Sequence, residues 1–195
     1  MLGFYFCGQS TVKIQNHRLC EAHWQPSPNY NQRPESMAVS MLVVHNISLP
    51  PKQFGGSYIE DFFCNQLDCS AHPYFDEIKD LQVSAHLLIK RGGELVQFVP
   101  FNERAWHAGV SEFEGEANCN DFSIGIELEG ADDVPYTQQQ YQVLAQVTDC
   151  LRAHYPDILS KRIVGHDDIA PGRKTDPGPS FDWPYFKQLI KEDIS

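Results

Sequence analysis

The 195-residue chain has no apolar run approaching the roughly 20 residues that a membrane span needs, so it does not read as a membrane protein. Basic residues are scarce. Fifteen Lys and Arg stand against 26 Asp and Glu, a formal net charge of −11. Phosphate binding needs a basic face, so this deficit argues against nucleic acid as a partner, and equally against an anionic membrane surface. There is no C-x-x-C pair among the six cysteines, Cys7, Cys20, Cys64, Cys69, Cys119 and Cys150, and the spacing Cys64-x4-Cys69 is not a usual zinc knuckle. An even count would allow three disulfides, but a chain this long can build a core without them, so free thiols in a reducing compartment are expected. The opening MLGFYFCGQ lacks a basic flank and breaks into polar residues at once. It does not read as a signal peptide, and a cytoplasmic location follows as the expectation. Internal repeats and low-complexity segments are also missing.

With 42% apolar residues, the natural reading is one domain. Residues 1–35 show little periodicity and read as an extended lead-in, with at most one short strand near 12–14. The run MLVV at 41–44 has the look of a buried strand, ending at His45 before NISLPP turns away. Ser57 and Glu60 have capping-box spacing, which predicts a helix from 58 to about 65. Two β-prone runs, 81–90 and 94–99, flank Arg91-Gly92-Gly93 and predict a hairpin. SIGIELE at 123–129 alternates, placing Ile124, Ile126 and Leu128 on one strand face and Ser123, Gly125, Glu127 and Glu129 on the other. Thr137 and Gln140 form a second capping-box pattern, followed by Tyr141, Leu144, Val147 (or Thr148) and Leu151 at helical spacing as far as about His154, with Pro156 beyond. A short strand is expected at 161–164. Asp182 should cap a last helix with Pro184 in its first turn and Phe186, Leu189 and Ile190 facing inward. The expected fold is α/β: a central mixed β-sheet flanked by helices, since a hairpin is antiparallel and a purely parallel sheet fits poorly.

The densest chemistry lies in GHDDIAPGRKTDPGP, residues 165–179. His166 and Asp176 offer a neutral imidazole and a carboxylate, the ligand types of a catalytic zinc, in a loop stiffened by its glycines and prolines. Lys174 lies two residues before the Asp, where a cation could meet developing negative charge. His45, at the end of a buried strand, is the candidate third ligand, although a histidine in such a place is also commonly just packed. Glu127 and Glu129 share a strand face with a glycine, which resembles the floor of a site or, alternatively, the solvated face of an edge strand.

Four segments carry a resemblance: LVVHNISLPP (42–51), RAWHAG (104–109), CNDFSIGIELEG (119–130) and KTDPGP (174–179). Together they resemble the AmpD-type zinc N-acetylmuramoyl-L-alanine amidases, a family related to phage amidase lysozymes and peptidoglycan recognition proteins. The likeness runs from about residue 25 to 187. It implies an amidase domain over 25–195, with 1–24 as an extension outside it. It implies Zn2+ held by His45, His166 and Asp176, with Glu127 as general base (Glu129 being its rival on the strand), Lys174 as the oxyanion partner and Tyr74 beside it. Asn46, Arg104, Trp106 and His107 are the implied substrate contacts, and a soluble 1,6-anhydro-muropeptide is the implied partner. The chain departs from the family where arginines are usual, with Gln82 before VSAH and Asn118, or nearby small or acidic residues, near Cys119. Those arginines are natural carboxylate clamps for a peptide stem. Two other readings compete. A peptidoglycan-binding module without catalysis commonly lacks a ligand, whereas all are present here. A non-haem iron oxygenase uses two His and one carboxylate, but in another order.

Overall fold

The computed structural model describes residues 12–191. The apolar opening and Cys7 lie outside the described residues. Six strands form the central sheet: β1 (His23–Trp24), β2 (Met41–Ile47), β3 (Leu87–Ile89), β4 (Leu95–Gln97), β5 (Ser123–Glu129) and β6 (Ile163–Gly165). Their spatial order is β6-β2-β5-β3-β4-β1. β5 runs parallel to both β2 and β3, and β6 parallel to β2. β3 and β4 form the expected antiparallel hairpin, and β1 joins β4 in parallel at the edge. The sheet is therefore mixed. Five helices accompany it among the described residues: α1 (Tyr58–Phe63), α2 (Phe75–Ile78), α3 (Gln138–His154), α4 (His166–Ile169) and α5 (Trp183–Leu189).

The two faces of the sheet are covered differently. On one, Leu42, Val44, Ile124, Ile126 and Leu128 pack against Leu144, Val147 and Leu151 of α3 and Phe186 of α5. The Thr137–Gln140 capping box forms, and the Thr137 hydroxyl also donates to the Arg91 carbonyl at 2.8 Å, tying the helix start to the hairpin turn. Asp182 accepts from the Tyr185 amide at 2.9 Å, with Pro184 in the first turn of α5 as expected. On the opposite face, Ile59, Phe62, Phe63, Phe75 and Ile78 pack on Leu88, Val96 and Phe98. This layer leaves room beside the carboxyl ends of β2, β5 and β6.

Several expectations need correction. The alternative of an edge strand for β5 falls: all seven of its residues are buried, because it is paired on both sides and covered on both faces. Ser57 does precede α1, but its side chain makes no capping bond. It donates to Asp61 at 2.8 Å instead, while Glu60 is drawn away into an ion pair with Lys90. The hairpin strands are shorter than the apolar runs. Residues 81–86 lie outside the regular strand, and Leu81 is half exposed. The lead-in holds more strand than periodicity suggested, since pairs of two residues leave no pattern to read. Ile14–Gln15 pairs with Arg18–Leu19, and Tyr30–Asn31 pairs with Arg104–Ala105. Leu19 is buried in the main core, so residues 12–24 wrap onto the sheet.

Candidate active site

β2, β5 and β6 deliver their residues to one place because they are parallel and in fixed register. His45 is the Cα partner of Glu127, and Val44 the partner of Gly165, which precedes His166. His166 opens the short helix α4, a correction to the expectation that its loop alone would hold it. The amide of Gly165 donates to Asp168 at 2.8 Å, fixing that turn. Asp176 returns beside it on the following loop, whose backbone accepts from the Asp167 amide at 3.1 Å. Gly178, at φ +77°, lets that loop pass against Asp132, where a Cβ would come within 2.3 Å of the Asp132 Cα.

Three ligand-type atoms converge. His45 Nδ1 lies 2.9 Å from His166 Nδ1 and 3.1 Å from Asp176 Oδ2, and His166 Nδ1 lies 3.0 Å from the same oxygen. A tetrahedral zinc with bonds of about 2.0 Å separates its ligand atoms by roughly 3.3 Å, so the triangle fits one face of such an ion after a small spread. The protonation state of His45 also fits. Burial pushes the His45 imidazole down to about 4, leaving it neutral at pH 7. The second nitrogen of His166 donates to the Ala108 carbonyl at 3.1 Å, leaving Nδ1 for a metal. His45 meets a different outer partner from the carbonyl or carboxylate expected of a zinc ligand: its Nε2 faces His107 Nδ1 at 2.9 Å.

A cleft of about 360 Å³ opens over this triangle. Its walls include Asn46, Tyr74, Trp106, Glu127, Lys174 and Asp176, with an apolar side formed by Ile47, Leu49, Phe62 and Val83. Glu127 is buried, and its Oε2 has no hydrogen-bond partner. Burial, reinforced by the negative charge of Asp176 and opposed by Lys174, pushes its carboxyl well above the ordinary range. Glu129 is placed otherwise. Its two oxygens accept from the backbone amides of Gly55 and Arg91, the latter at 3.0 Å, and it is not on the cleft wall.

The expected substrate contacts divide. Trp106 lines the cleft with its indole N–H held by Asn31 at 2.7 Å. Asn46 lines it too, but its amide N–H groups bind Asp132 at 2.7 Å and the Pro177 carbonyl at 3.1 Å, so it also ties β2 to the Asp176 loop. Arg104 is not on the wall. Its guanidinium pairs with Asp121 and donates to Asn31 at 3.2 Å. His107 lines the cleft, but both ring nitrogens are engaged, Nδ1 with His45 and Nε2 with Ser123 at 3.1 Å. It therefore has no polar atom left for a substrate. Gln82 and Asn118 are exposed and do not line the cleft.

Other residues matter that sequence reasoning passed over. Asn120 Oδ1 accepts from the amides of His107 and Ala108, at 3.1 and 2.8 Å, and so shapes the loop against both histidine ligands. Arg173 donates to the carbonyls of Ala108 and Val110, each at 2.6 Å. His86 accepts from the Gly125 amide at 3.0 Å and meets the Glu103 carbonyl with its other nitrogen, which makes it a satisfied structural residue. No local signal marks these partners, because each is joined to the site by contacts distant in sequence.

Comparison with known proteins agrees with this geometry. The sequence profile of the Amidase_2 family, described as N-acetylmuramoyl-L-alanine amidase, matches residues 35–179. The chain is 58% identical over 170 residues to the 1,6-anhydro-N-acetylmuramyl-L-alanine amidase AmpD of Escherichia coli K12, covering 87% of this chain and 92% of that one. It is 51% identical to AmpD of Haemophilus influenzae, covering 91% and 97%. A crystal structure of an AmpD derivative superposes with a TM-score of 0.89 at 56% identity, covering 91% of this chain and 99% of that one. The amidase AmiD of Escherichia coli, solved with anhydro-N-acetylmuramic acid-L-Ala-D-γ-Glu-L-Lys, superposes at 0.57 with 27% identity, covering 92% and 65%. With its His-His-Asp triangle, its buried carboxylate and these relatives, the chain belongs to the N-acetylmuramoyl-L-alanine amidase family.

Proposed function

We propose that this amidase uses zinc to hydrolyse the amide between the lactyl group of 1,6-anhydro-N-acetylmuramic acid and L-alanine in soluble muropeptides, as a cytoplasmic step of cell-wall recycling. The observation that carries the metal chemistry is the convergence of His45, His166 and Asp176 on one point beneath the cleft. Zinc held there would act as a Lewis acid toward the scissile carbonyl and make a water acidic enough to attack near neutral pH. Glu127 takes the proton that this water loses. Its raised carboxyl and unpartnered oxygen suit it to accept that proton and then to deliver it to the departing amine. The C–N bond breaks as the lactyl carboxylate forms, so one water is consumed. Lys174, on the cleft wall, faces the charge that develops on the carbonyl oxygen, and Tyr74 stands beside the same space. Trp106 and the apolar wall offer surface to the sugar and to the alanine methyl.

The choice of a soluble fragment over intact wall rests on the AmpD relatives and on the net charge of −11, which would repel a polyanionic polymer. The cytoplasmic assignment is supported by the five described cysteines, which are all unpaired. Zinc-loaded protein should be incubated separately with an anhydro-muropeptide and with intact peptidoglycan, and the products weighed by mass spectrometry. The expected result is anhydro sugar plus a peptide with a free L-alanine amine from the first substrate. Binding without cleavage would refute the catalytic reading. Equal rates on both substrates would refute the recycling assignment alone.

A further inference from the structure

The outer side of His45 leads into a closed chain of hydrogen bonds whose direction can be deduced from its far end. The Cys119 carbonyl can only accept. Ser123 Oγ approaches it to 2.5 Å, so the single hydroxyl proton must lie between those two oxygens. The serine oxygen is then the acceptor for His107 Nε2, 3.1 Å away. His107 is buried against His45, His86, Ser123 and the Gly125 backbone, with no carboxylate in hydrogen-bond reach among the described residues to hold a second proton, so its ring carries one. With that proton on Nε2, its Nδ1 is an acceptor. His45 Nε2, at 2.9 Å, must therefore be the donor, which leaves the His45 Nδ1 lone pair pointing at His166 and Asp176.

The path is built tightly. Ser123 and Cys119 are fully buried. The His107 ring lies directly on the backbone of Gly125, where a Cβ would stand 2.4 Å from the ring. Asn120 holds the His107 main chain. A reversed chain, with Ser123 donating to His107, would press two unprotonated oxygens together at the serine end and put a proton on the His45 atom that must bind metal.

We propose that Ser123, acting through His107, is a positioning residue that locks His45 in the Nε2–H tautomer and so prepares Nδ1 as a metal ligand. This rests on the zinc reading above. Two measurements keep the two apart. In metal-free protein labelled with ¹⁵N-histidine, long-range proton–nitrogen spectra report each tautomer. His45 and His107 are both expected in the Nε2–H form, and finding His45 as Nδ1–H would overturn the proposal whether or not zinc binds. In Ser123→Ala the His45 signals should shift toward a mixture of tautomers, and zinc affinity, measured by chelator competition, should fall by roughly 10–100-fold, the scale for lost outer-shell partners. A merely structural role would lower the melting temperature while leaving tautomer and affinity unchanged, and that result would also overturn the proposal. If Ser123→Ala fails to fold, the wild-type spectrum still decides. Wild-type protein with the expected tautomers but no zinc affinity would refute the metal reading and leave the hydrogen-bond order standing.

Discussion

Glu127 and Glu129 lie two residues apart on one face of one strand, and both are buried. At the Glu129 end, the 50s loop and the hairpin turn supply backbone amides from Gly55 and Arg91, which consume the carboxylate as an anchor. At the Glu127 end no donor is supplied, and an oxygen is left bare in a cleft over three ligand-type side chains. The difference between an anchor and a reactive group is made by what distant segments bring to each, since the strand itself treats both alike. A buried carboxylate without partners is costly, and an open functional cleft gives it a reason to persist.

The sharpest way to break this comparison is to remove the metal from under it. Replacing His45, His166 or Asp176 by Ala should abolish retention of one zinc per chain and reduce turnover to background, read by metal analysis and product mass. Retention of stoichiometric zinc with full turnover in His45→Ala would refute the ligand set. Next in size, Glu127→Gln should keep the zinc and the fold but lose roughly 10²–10⁴-fold in turnover, the scale of a removed proton-transfer group. If Glu129→Gln showed that loss and Glu127→Gln did not, the roles would have to be exchanged. Glu129→Gln should instead leave turnover nearly unchanged while costing about 1–3 kcal/mol of stability in denaturant unfolding, because one backbone donor faces an amide N–H in place of an oxygen.

The smallest effects are in pH. In zinc-free protein, burial holds Glu127 above its unfolded value, so the folded chain keeps a proton that the unfolded chain has already lost. Stability should fall as pH rises from the ordinary carboxylate range through the raised value. Glu127→Gln lacks that loss, so its advantage over wild type should vanish in acid and grow toward neutrality. His45 acts in the opposite sense. Its pKa is lowered from 6.5 to about 4, so the stability it allows above 6.5 is lost as pH falls across that interval. Parallel unfolding curves for wild type and Glu127→Gln across this range would contradict the environment assigned to Glu127.

Much of this was legible in the sequence, and the boundary is physical. Apolar repetition exposed β2, β5 and α3 because each buries a long, regular set of side chains. The Thr137 cap was readable because both of its bonds are local. The same pattern at Ser57 misled, since Lys90, far along the chain, captures Glu60. Arg104 reads as a substrate contact and is instead held by Asp121 and Asn31. His107 carried a motif but not its role, because the role depends on Ser123 behind it and Gly125 beneath it. In each of these, a partner distant in sequence decides what the residue can do.

The parallel register of β2, β5 and β6 has a kinetic consequence. His45 and His166 are 121 residues apart, and they meet only once β2 has zipped to both neighbours. The segment 166–176 can bring His166 and Asp176 together locally, but His45 joins them only through the sheet. A metal bound at the proposed site would therefore latch a finished sheet and not seed it. Its binding should slow unfolding far more than it speeds folding, as expected of a contact that forms after the rate-limiting step.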